Sequence, residues 1–450
     1  MKLAVIGAGW AGLAAAQSLK NAGFTPTVFE AAPLPGGRAR RVDDTTMGAI
    51  DNGQHLLIGA YTETLKLIHI LQPGCDMDAL LLRMPLRLES ANGAFCLRAP
   101  RLPAPLHALY ALLSATGLTL SQRWRALHMI AMCKLKQWRS TELQTVEQLL
   151  DLHRQSTVLR QYLWHPLCLA TLNTPPRVAC AQLFLNVLRD SLDAPGSHSD
   201  LIVPRVDLTA LWPEIAAQGM DMRYRHIVRE VSIASDHVAV DAEKFDACII
   251  AVPPYAVSRI LRNTTHPDQL LRLQSQLQAF TYRPIATLTL QLEHAWRLPH
   301  PVMMLDEHIA RGHYGQWVFE RGENDQLTVV ISDAEDFLKH ERSSFVSNIA
   351  EQIREQVGQH ARARIPMPAV TSHRLIVEKR ATFNAIPGLA RPANKTVWPR
   401  LALAGDWTDT GYPAVLEGAV RSGQRAAAAL LGQLSTAKQM TGHQAQHSQD

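Results

Sequence analysis

The chain has 450 residues, of which 47% are hydrophobic and 19% are charged, so it has ample apolar material for a folded interior. This length exceeds what one core usually supports, and we expect two domains. The formal net charge of +5 is too small to favour a nucleic-acid-binding protein. The six cysteines form no CxxC pair and have no zinc-site spacing, which favours reduced thiols and no metal site.

The first thirty residues predict a dinucleotide-binding unit. An apolar strand runs into Gly7, Gly9 and Gly12, spaced as GxGxxG, and a helix is expected over Leu13–Lys20. In such a turn the glycines allow a tight bend, close approach of a pyrophosphate, and close packing of helix on strand. A second strand ends in Glu30, which is placed to accept hydrogen bonds from an adenosine ribose. The acid disfavours a ligand with a 2′-phosphate, because the two negative charges would repel each other.

Three further motifs extend this prediction. Gly37 and Arg38 end a Gly-Gly-Arg segment, in which the glycines give backbone freedom and the arginine can reach a phosphate or a flavin edge. A polar turn over 51–55 is typical of a cofactor cleft. Near the end of the chain, a strand enters the loop 404–411, and 417–423 then predicts a second helix N-terminus that can stabilise negative charge on a flavin ring.

Further strands of this nucleotide-binding fold are predicted later in the chain, separated from the first two by long segments of other structure. Strand-like alternation occurs over 222–240, and short buried strands are expected over 246–254 and 400–406. An Ala-rich helix is expected over 413–431. These further elements would complete one Rossmann-like α/β layer. We therefore assign the nucleotide-binding domain to 1–60, 200–260 and 391–434.

The intervening residues predict an α+β substrate domain, with a sheet as its floor and helices as its cap. We assign this domain to 61–199 and 261–390. The polar residues 435–450 predict a disordered tail. The patterns predict helices over 106–120, 122–138, 146–153, 157–172 and 345–357, and strands over 285–292, 314–320 and 326–332.

The window Leu97–Thr141 has an unusual charge pattern, with seven Lys or Arg residues and no Asp or Glu. Trp124 and Trp138 lie among the cations, and 102–122 carries no formal charge. This composition favours contact with an anionic membrane surface over a buried helix pair with a basic rim. Pro103 and other breakers argue against a membrane-spanning helix, and the N-terminus does not resemble a signal peptide. We expect a cytoplasmic protein that associates peripherally with the inner face of the membrane.

Together these motifs resemble the FAD-dependent amine oxidase and phytoene desaturase superfamily over nearly the whole chain. The resemblance implies a GR2-type FAD-binding domain, with 410–418 beside the isoalloxazine and Asp406 beside the ribityl or pyrophosphate part. It implies that Val228 or Val231 lies near the adenine. The residues that the resemblance assigns to FAD binding are Gly7, Gly9, Gly12, Glu30, Gly37, Arg38, Val231, Gly405, Asp406 and Gly418.

Longer strings resemble a narrower branch of that superfamily. Residues 164–174, 184–191, 405–411 and 417–423 are similar to the squalene-associated branch, the hydroxysqualene dehydroxylases of bacterial hopanoid and squalene synthesis. This resemblance implies a polyisoprenoid substrate, hydroxysqualene, whose hydroxyl is removed reductively to give squalene. It also implies a hydride from N5 of reduced FAD, and therefore an electron donor that the sequence does not identify.

The implied reaction makes three demands on the protein. An acid must help the hydroxide to leave, a hydride must reach the resulting cation, and water must be kept away because it would re-form the alcohol. The apolar second domain suits the third demand. Candidate proton donors are Asp190, Asp409 and His165, of which we favour Asp190 or Asp409. For each, a structural role as ion pair, helix cap or satisfied histidine is the alternative.

Three other functions stay open at this point. A carotenoid or phytoene desaturase would use oxidised FAD to abstract a hydride. An amine or porphyrinogen oxidase is less favoured, because Val415 occupies a position where amine oxidases usually carry an aromatic residue, although Tyr412 lies nearby. A non-catalytic flavoprotein that binds prenyl chains would keep the same motifs, but a substrate would neither reduce nor reoxidise its flavin.

Overall fold

The computed structural model describes residues 1–321, 325–339 and 344–447. The strands are β1 (Leu3–Ile6), β2 (Thr27–Phe29), β3 (Arg41–Asp44), β4 (Gly48–Asp51), β5 (Leu57–Ile58), β6 (Leu81–Met84), β7 (Arg87–Glu89), β8 (Cys96–Arg98), β9 (Leu201–Pro204), β10 (Asp221–Arg223), β11 (Val231–Ile233), β12 (Val238–Val240), β13 (Glu243–Phe245), β14 (Ala247–Ile250), β15 (Leu261–Asn263), β16 (Tyr282–Leu292), β17 (Val302–Met304), β18 (Trp317–Arg321), β19 (Gln326–Ser332), β20 (Val370–Phe383) and β21 (Leu401–Leu403).

The α-helices are α1 (Trp10–Asn21), α2 (Thr62–Leu71), α3 (Met77–Leu80), α4 (Leu106–Ser114), α5 (Leu120–Leu135), α6 (Val146–Leu152), α7 (Thr157–Leu159), α8 (His165–Leu172), α9 (Ala181–Leu192), α10 (Leu208–Leu211), α11 (Pro213–Ala217), α12 (Pro254–Ile260), α13 (Pro267–Gln278), α14 (Glu335–Lys339), α15 (Phe345–Gln359) and α16 (Leu416–His447). A π-helical turn over Arg160–Trp164 joins α7 to α8.

A parallel five-stranded sheet forms the nucleotide-binding layer, with the order β10-β2-β1-β14-β21. All four residues of β1 and of β14 are buried, as expected for central strands that are covered on both faces. The strand order brings together three stretches that are far apart in the sequence. This mixed α/β architecture confirms the predicted fold class.

Helices α1 and α16 cover one face of this sheet. Gly423 makes their close approach possible, because a Cβ atom there would lie 2.1 Å from the carbonyl oxygen of Ala11. Leu67 and Ile68 of α2 belong to the same buried core. The boundary that we expected at residue 61 therefore falls inside this core, since the amphipathic face of α2 is buried there. The remaining division into two domains stays a prediction.

The floor of the second region is an antiparallel sheet, with the order β17-β18-β19-β16-β20. Its interior strand β16, which pairs with β19 and β20, alternates its side chains between two environments. Ala286, Leu288 and Leu290 are buried in a cluster with α15, whereas Ile285 and Thr287 face the opposite side and line a large cavity. The sheet therefore forms one wall of that cavity.

Helices α4 to α9 form the cap. The predicted helix over 157–172 is confirmed by α7, the π-helical turn and α8, whereas the two helices before it differ from their predicted bounds for local reasons. The first helix ends at Ser114 instead of 120, because Gly117 adopts a left-handed conformation with φ +80°. The next helix begins at Leu120, because Thr119 and Gln122 form a reciprocal capping box. Trp138, which we expected among the membrane-facing residues, is instead 3% exposed and donates to Asp193 at 3.0 Å.

The C-terminal segment also differs from the prediction. We expected a disordered tail over 435–450, but α16 continues to His447, and 448–450 lie outside the described residues. Ala, Gln and Lys are good helix formers, and no proline interrupts this stretch. Across the described ranges, every helix is too short or too polar to cross a membrane.

Candidate functional site

A cavity of about 780 Å³ lies between the parallel sheet, the antiparallel sheet and the helical cap. Volumes in this range are typical of small-molecule and cofactor sites. One end is built from the loops that follow β1 and β2, and it contains Gly7, Gly9 and Glu30. The other end extends under α4, α5 and α9. The two ends differ in polarity, and we call them the nucleotide end and the hydrocarbon end.

The glycine turn after β1 has the backbone geometry that a pyrophosphate needs. Gly7 has φ +101°, and a Cβ atom there would lie 2.7 Å from the carbonyl oxygen of Ala251. A Cβ atom on Gly12 would lie 1.8 Å from the carbonyl oxygen of Gly7, which explains how α1 packs so closely on the strand. Gly9 caps α1 without a side-chain hydrogen bond, so the helix N-terminus is open towards the cavity. These residues fit a dinucleotide.

Glu30 lies at the end of β2 and lines the cavity. Its carboxylate accepts hydrogen bonds from the backbone N–H groups of Ala8 and Ala32, both at 2.7 Å, which fixes its position beside the glycine turn. Val228 lines the same part of the cavity. Val231, which we also expected near the adenine, lies in β11 within the core and does not line the cavity. Val228 is therefore the better candidate for an adenine contact.

Arg38 links the glycine-rich N-terminal part of the nucleotide end to two C-terminal segments, the loop with Asp406 and strand β20. Its guanidinium donates to Oδ2 of Asp406 at 2.6 Å and to the carbonyl oxygen of Ala381 in β20 at 2.5 Å. Gly37 approaches Gly9 so closely that a Cβ atom on Gly37 would lie 2.9 Å from the Cα atom of Gly9. The motifs around 37–38 and 405–406 are therefore in direct contact. Their separation in the sequence did not indicate this contact.

The loop 405–412 is held by Arg391, a residue that the sequence analysis missed. The Arg391 guanidinium donates to the carbonyl oxygens of Tyr412 at 2.6 Å, Asp406 at 2.7 Å and Trp407 at 3.3 Å, and it also donates to that of Thr408. Burial lowers the pKa of Arg391 to about 10. No local motif indicates this role, because Arg391 precedes the first residue of the loop by fourteen residues and contacts it only through the tertiary fold.

The hydrocarbon end is almost entirely apolar. Val415 lines this part of the cavity and follows the loop 405–412, which we call the flavin loop. An apolar side chain at this position agrees with the expectation of a hydrocarbon substrate. Gly418 is covered by Pro413 and Tyr412 and does not line the cavity, so its role is packing at the start of α16. The apolar wall residues are Leu86, Leu88, Leu97, Ala108, Ala111, Leu112, Ile130, Leu163, Leu167, Phe184, Val187 and Leu188.

The proton donors favoured from the sequence do not reach the cavity. Asp190 accepts from Nε of Arg189 at 2.7 Å and from the hydroxyl of Tyr412. Asp409 is exposed. His165 pairs with Glu147 at 3.1 Å. None of the three candidates lines the cavity. Asp190 and His165 have the ion-pair and hydrogen-bond partners that we gave as their alternative roles, whereas Asp409 is exposed and caps no helix among the described residues.

Seven other titratable side chains line the cavity besides Glu30, Arg38 and Asp406: Arg40, His55, Tyr61, His226, Tyr255, Glu378 and Arg380. Burial, followed by the charge of Arg38, lowers the pKa of His55 to about 4, so its ring is neutral at pH 7. Tyr255 packs beneath the guanidinium of Arg380, which lies 4.3 Å from the ring centroid. His55 belongs to a motif that the sequence had singled out, whereas the two tyrosines carried no sequence signal.

Comparison with known proteins identifies the family. The family described as flavin containing amine oxidoreductase matches residues 10–431. The chain belongs to this family. The flavin-containing oxidoreductase described here therefore uses FAD, in agreement with the fit of its glycine turn and Glu30. Both the predicted cofactor and the predicted enzyme class are confirmed.

Curated relatives of this oxidoreductase extend over its full length. A hydroxysqualene dehydroxylase of Rhodopseudomonas palustris is 30% identical over 94% of this chain and 96% of its own. A hydroxysqualene dehydroxylase of Zymomonas mobilis subsp. mobilis is 28% identical over 94% of this chain and 97% of its own. The narrower resemblance seen in the sequence is thereby confirmed.

Solved structures support the fold. A putrescine oxidase with bound putrescine has a TM-score of 0.68 and 16% identity, and the match covers 96% of this chain and 99% of that one. A reduced UDP-galactopyranose mutase has a TM-score of 0.68 and 13% identity, with coverage of 96% and 94%. At these identities the likeness concerns the fold alone.

Proposed function

We propose that this flavoenzyme removes the hydroxyl group of hydroxysqualene reductively and releases squalene. The full-length relatives named hydroxysqualene dehydroxylase support the reaction. The observation that carries the proposal for this chain is a cavity that joins a dinucleotide cradle directly to a long apolar wall. A C30 hydrocarbon offers almost no polar group, and an apolar wall is what would bind it.

We propose that FAD contacts Gly7, Gly9, Glu30, Gly37, Arg38, Gly405 and Asp406, all of which line the cavity. Val228 takes the place of Val231 beside the adenine in this proposal, and Gly12 and Gly418 act through packing. When bound in its reduced state, FAD supplies the hydride, and the electron donor that reduces it is a separate partner. The protein positions the alcohol carbon and excludes water, because water would re-form the alcohol.

We also propose that the protein docks peripherally on the inner face of the membrane through α4 and α5. Helix α4 separates the cavity from the outside: Ala108 and Ala111 line the cavity, whereas Leu106 and Tyr110 are 51% and 54% exposed. Trp124 in α5 is 63% exposed. The other exposed apolar residues of this cap face are Leu102, Leu109, Leu113, Leu120 and Leu135.

Cations surround this apolar face, which supports docking on an anionic bilayer. Exposed basic side chains there are Arg98, Arg101, Arg125, Lys134, Lys136 and Arg139. Arg123 has a different role, because it donates to the carbonyl oxygens of Leu113 at 2.6 Å and Leu118 at 3.1 Å and ties α4 to α5. A docked cap would place the hydrocarbon end of the cavity beside the lipid phase that dissolves the substrate.

A carotenoid-type desaturase is the second candidate. A relative named probable zeta-carotene desaturase, from Synechococcus elongatus, is 23% identical over 96% of this chain and 98% of its own. The same cavity would suit that substrate class, but the hydride would pass in the opposite direction.

Anaerobic incubation with hydroxysqualene tests both candidates. The FAD of the purified protein is first reduced with dithionite, and the flavin spectrum and the extracted lipid are then followed together. We expect squalene and a stoichiometric return of oxidised flavin absorbance. Absence of squalene, with bleaching of the oxidised protein by a phytoene-like polyene, would establish the desaturase instead.

A further inference from the structure

Tyr61 is a polar side chain without a partner in the wall of an apolar cavity. It caps the N-terminus of α2 and lines the cavity together with Ile58 and Leu416. Its backbone is fixed, because its N–H donates to Ile58 and its carbonyl oxygen accepts from Leu65, both at 2.9 Å. Within the described ranges, no protein group hydrogen-bonds its phenol. The hydroxyl is therefore available to a ligand in the cavity.

A row of charged side chains begins near Tyr61 with Glu417. Glu417, in the first turn of α16, is fully buried and accepts from the backbone N–H groups of Glu63 at 3.1 Å and Thr64 at 2.9 Å. It also accepts from Nε of Arg421 at 2.6 Å. The charge of Glu417 is thus neutralised inside the protein. This arrangement holds the start of α2 against the start of α16, where Leu416 and Val415 enter the cavity wall.

The row continues towards the surface. The guanidinium of Arg421 lies 5.0 Å from the ring centroid of Tyr412, whose hydroxyl donates to Asp190. Arg189 pairs with Asp190, and its side chain is 44% exposed. The two aspartates favoured from the sequence therefore have different surroundings. Asp409 is exposed to solvent, whereas Asp190 belongs to this row of charged side chains.

The phenol of Tyr61 stays protonated across the physiological range. Burial raises its pKa first, and the nearby Glu417 and Tyr412 raise it further. His55, which also lines the cavity, is neutral and holds no readily given proton, because its pKa is about 4. Tyr255 is engaged beneath Arg380 at the nucleotide end. The hydroxyl of Tyr61 differs from these two groups because it is protonated and lines the cavity together with the aliphatic Ile58 and Leu416.

We propose that Tyr61 is the catalytic residue that protonates the departing hydroxyl of the substrate, an inference that rests on the proposed function. The C–O bond breaks as the proton passes from the phenol oxygen to the hydroxyl oxygen, which leaves as water. The electron pair of the new C–H bond is the hydride that reduced FAD supplies. After product release the phenolate regains its proton from solvent.

Tyr61→Phe removes one oxygen atom that has no protein partner, so we expect normal folding and normal FAD content. Single-turnover formation of squalene should fall at least 100-fold, as is typical when a general acid is lost. Affinity for hydroxysqualene, measured by tryptophan fluorescence in the oxidised protein without turnover, should fall several-fold. Affinity for squalene, which has no hydroxyl, should not change.

Tyr162→Phe is the matched control, because Tyr162 stacks on Phe95 at 5.6 Å and does not line the cavity. The control should keep the wild-type rate and both affinities. A Tyr61→Phe rate within threefold of a wild type that makes squalene would overturn the assignment of Tyr61 alone. Equal loss of affinity for hydroxysqualene and squalene would also overturn it, since that result indicates a packing role. A wild type that forms no squalene would overturn the proposed function itself.

Discussion

At the nucleotide end of the cavity the polar groups already have protein partners: Glu30 accepts from two backbone N–H groups, and Arg38 pairs with Asp406. At the hydrocarbon end the wall consists mainly of aliphatic and aromatic side chains, and the hydroxyl of Tyr61 has no hydrogen-bond partner among the described residues. The first end recognises its ligand by fixed donors and charges, and the second by volume and exclusion of water. Substitutions should therefore fail in different ways at the two ends.

The largest effect should come from Glu30→Arg at the nucleotide end. The change removes two charge-assisted hydrogen bonds and the ribose acceptor, and it places a second cation near Arg38. Loss of the hydrogen bonds from the two ribose hydroxyls to the carboxylate, at about 1.5 to 3 kcal/mol each, should lower FAD affinity at least about 100-fold. The ratio of flavin to protein absorbance after dialysis against known FAD concentrations measures this. Glu293→Arg, at an exposed site, is the matched control, and full flavin content in Glu30→Arg would rule out the ribose role.

A double substitution outside the hydrocarbon end, Leu120→Glu with Trp124→Glu, should weaken vesicle binding about 30-fold or more. These side chains are 69% and 63% exposed, and burial of such side chains in a bilayer contributes about 1.5 to 3 kcal/mol each. Co-sedimentation with vesicles containing anionic lipid gives the partition coefficient. Leu271→Glu, at a residue 64% exposed on α13, should bind like the wild type. Equal binding by all three proteins would contradict the docking face.

Inside the hydrocarbon end, Val187→Trp should block the substrate and leave the cofactor untouched. Val187 lines the cavity from α9, and an indole there would take up space that the hydrocarbon needs. We expect normal FAD content and about a tenfold loss of squalene formation, because the wall can adjust only in part. Val397→Trp, at a residue 53% exposed outside the cavity, provides the control. A loss of FAD in Val187→Trp would show that the two ends are not independent.

The smallest effect concerns pH. The pKa of His55 is about 4 in the folded protein, below the value of about 6.5 in an unfolded chain. The unfolded state therefore binds the proton more readily, so this contribution to stability is complete above pH 6.5 and is lost as the pH falls towards 4. Between pH 7.5 and 5.5 the wild type should lose about 1.4 kcal/mol of unfolding free energy that His55→Asn does not lose. Identical pH profiles in urea unfolding would contradict a neutral, buried His55.

The sequence predicted the nucleotide end well because its signals are local. The spacing of Gly7, Gly9 and Gly12 fixes the turn, and Glu30 follows one helix and one short strand later. β19 has the bounds that its pattern predicted, 326–332. These features depend on neighbours in the chain, and each constrains the backbone directly.

The hydrocarbon end could not be predicted residue by residue because tertiary contacts decide it. Helical periodicity placed Trp138 among exposed cations, but contact with Asp193 buries it. Asp190 stood in a distinctive string, yet its carboxylate turns away from the cavity towards Tyr412. Tyr61 and Arg391 lie in no recognisable sequence motif. Tyr61 is singled out only by its place in the cavity wall, and Arg391 only by its contacts with the loop 405–412.

Anaerobic turnover of hydroxysqualene in D2O tests the central claim most directly. The N5 hydrogen of reduced flavin exchanges with solvent, so a hydride delivered from FAD should appear as deuterium on carbon. We expect squalene one mass unit heavier than the product formed in H2O, with oxidised flavin formed in equal amount. Unlabelled squalene, or unchanged hydroxysqualene beside a flavin that stays reduced, would contradict reductive dehydroxylation in this cavity.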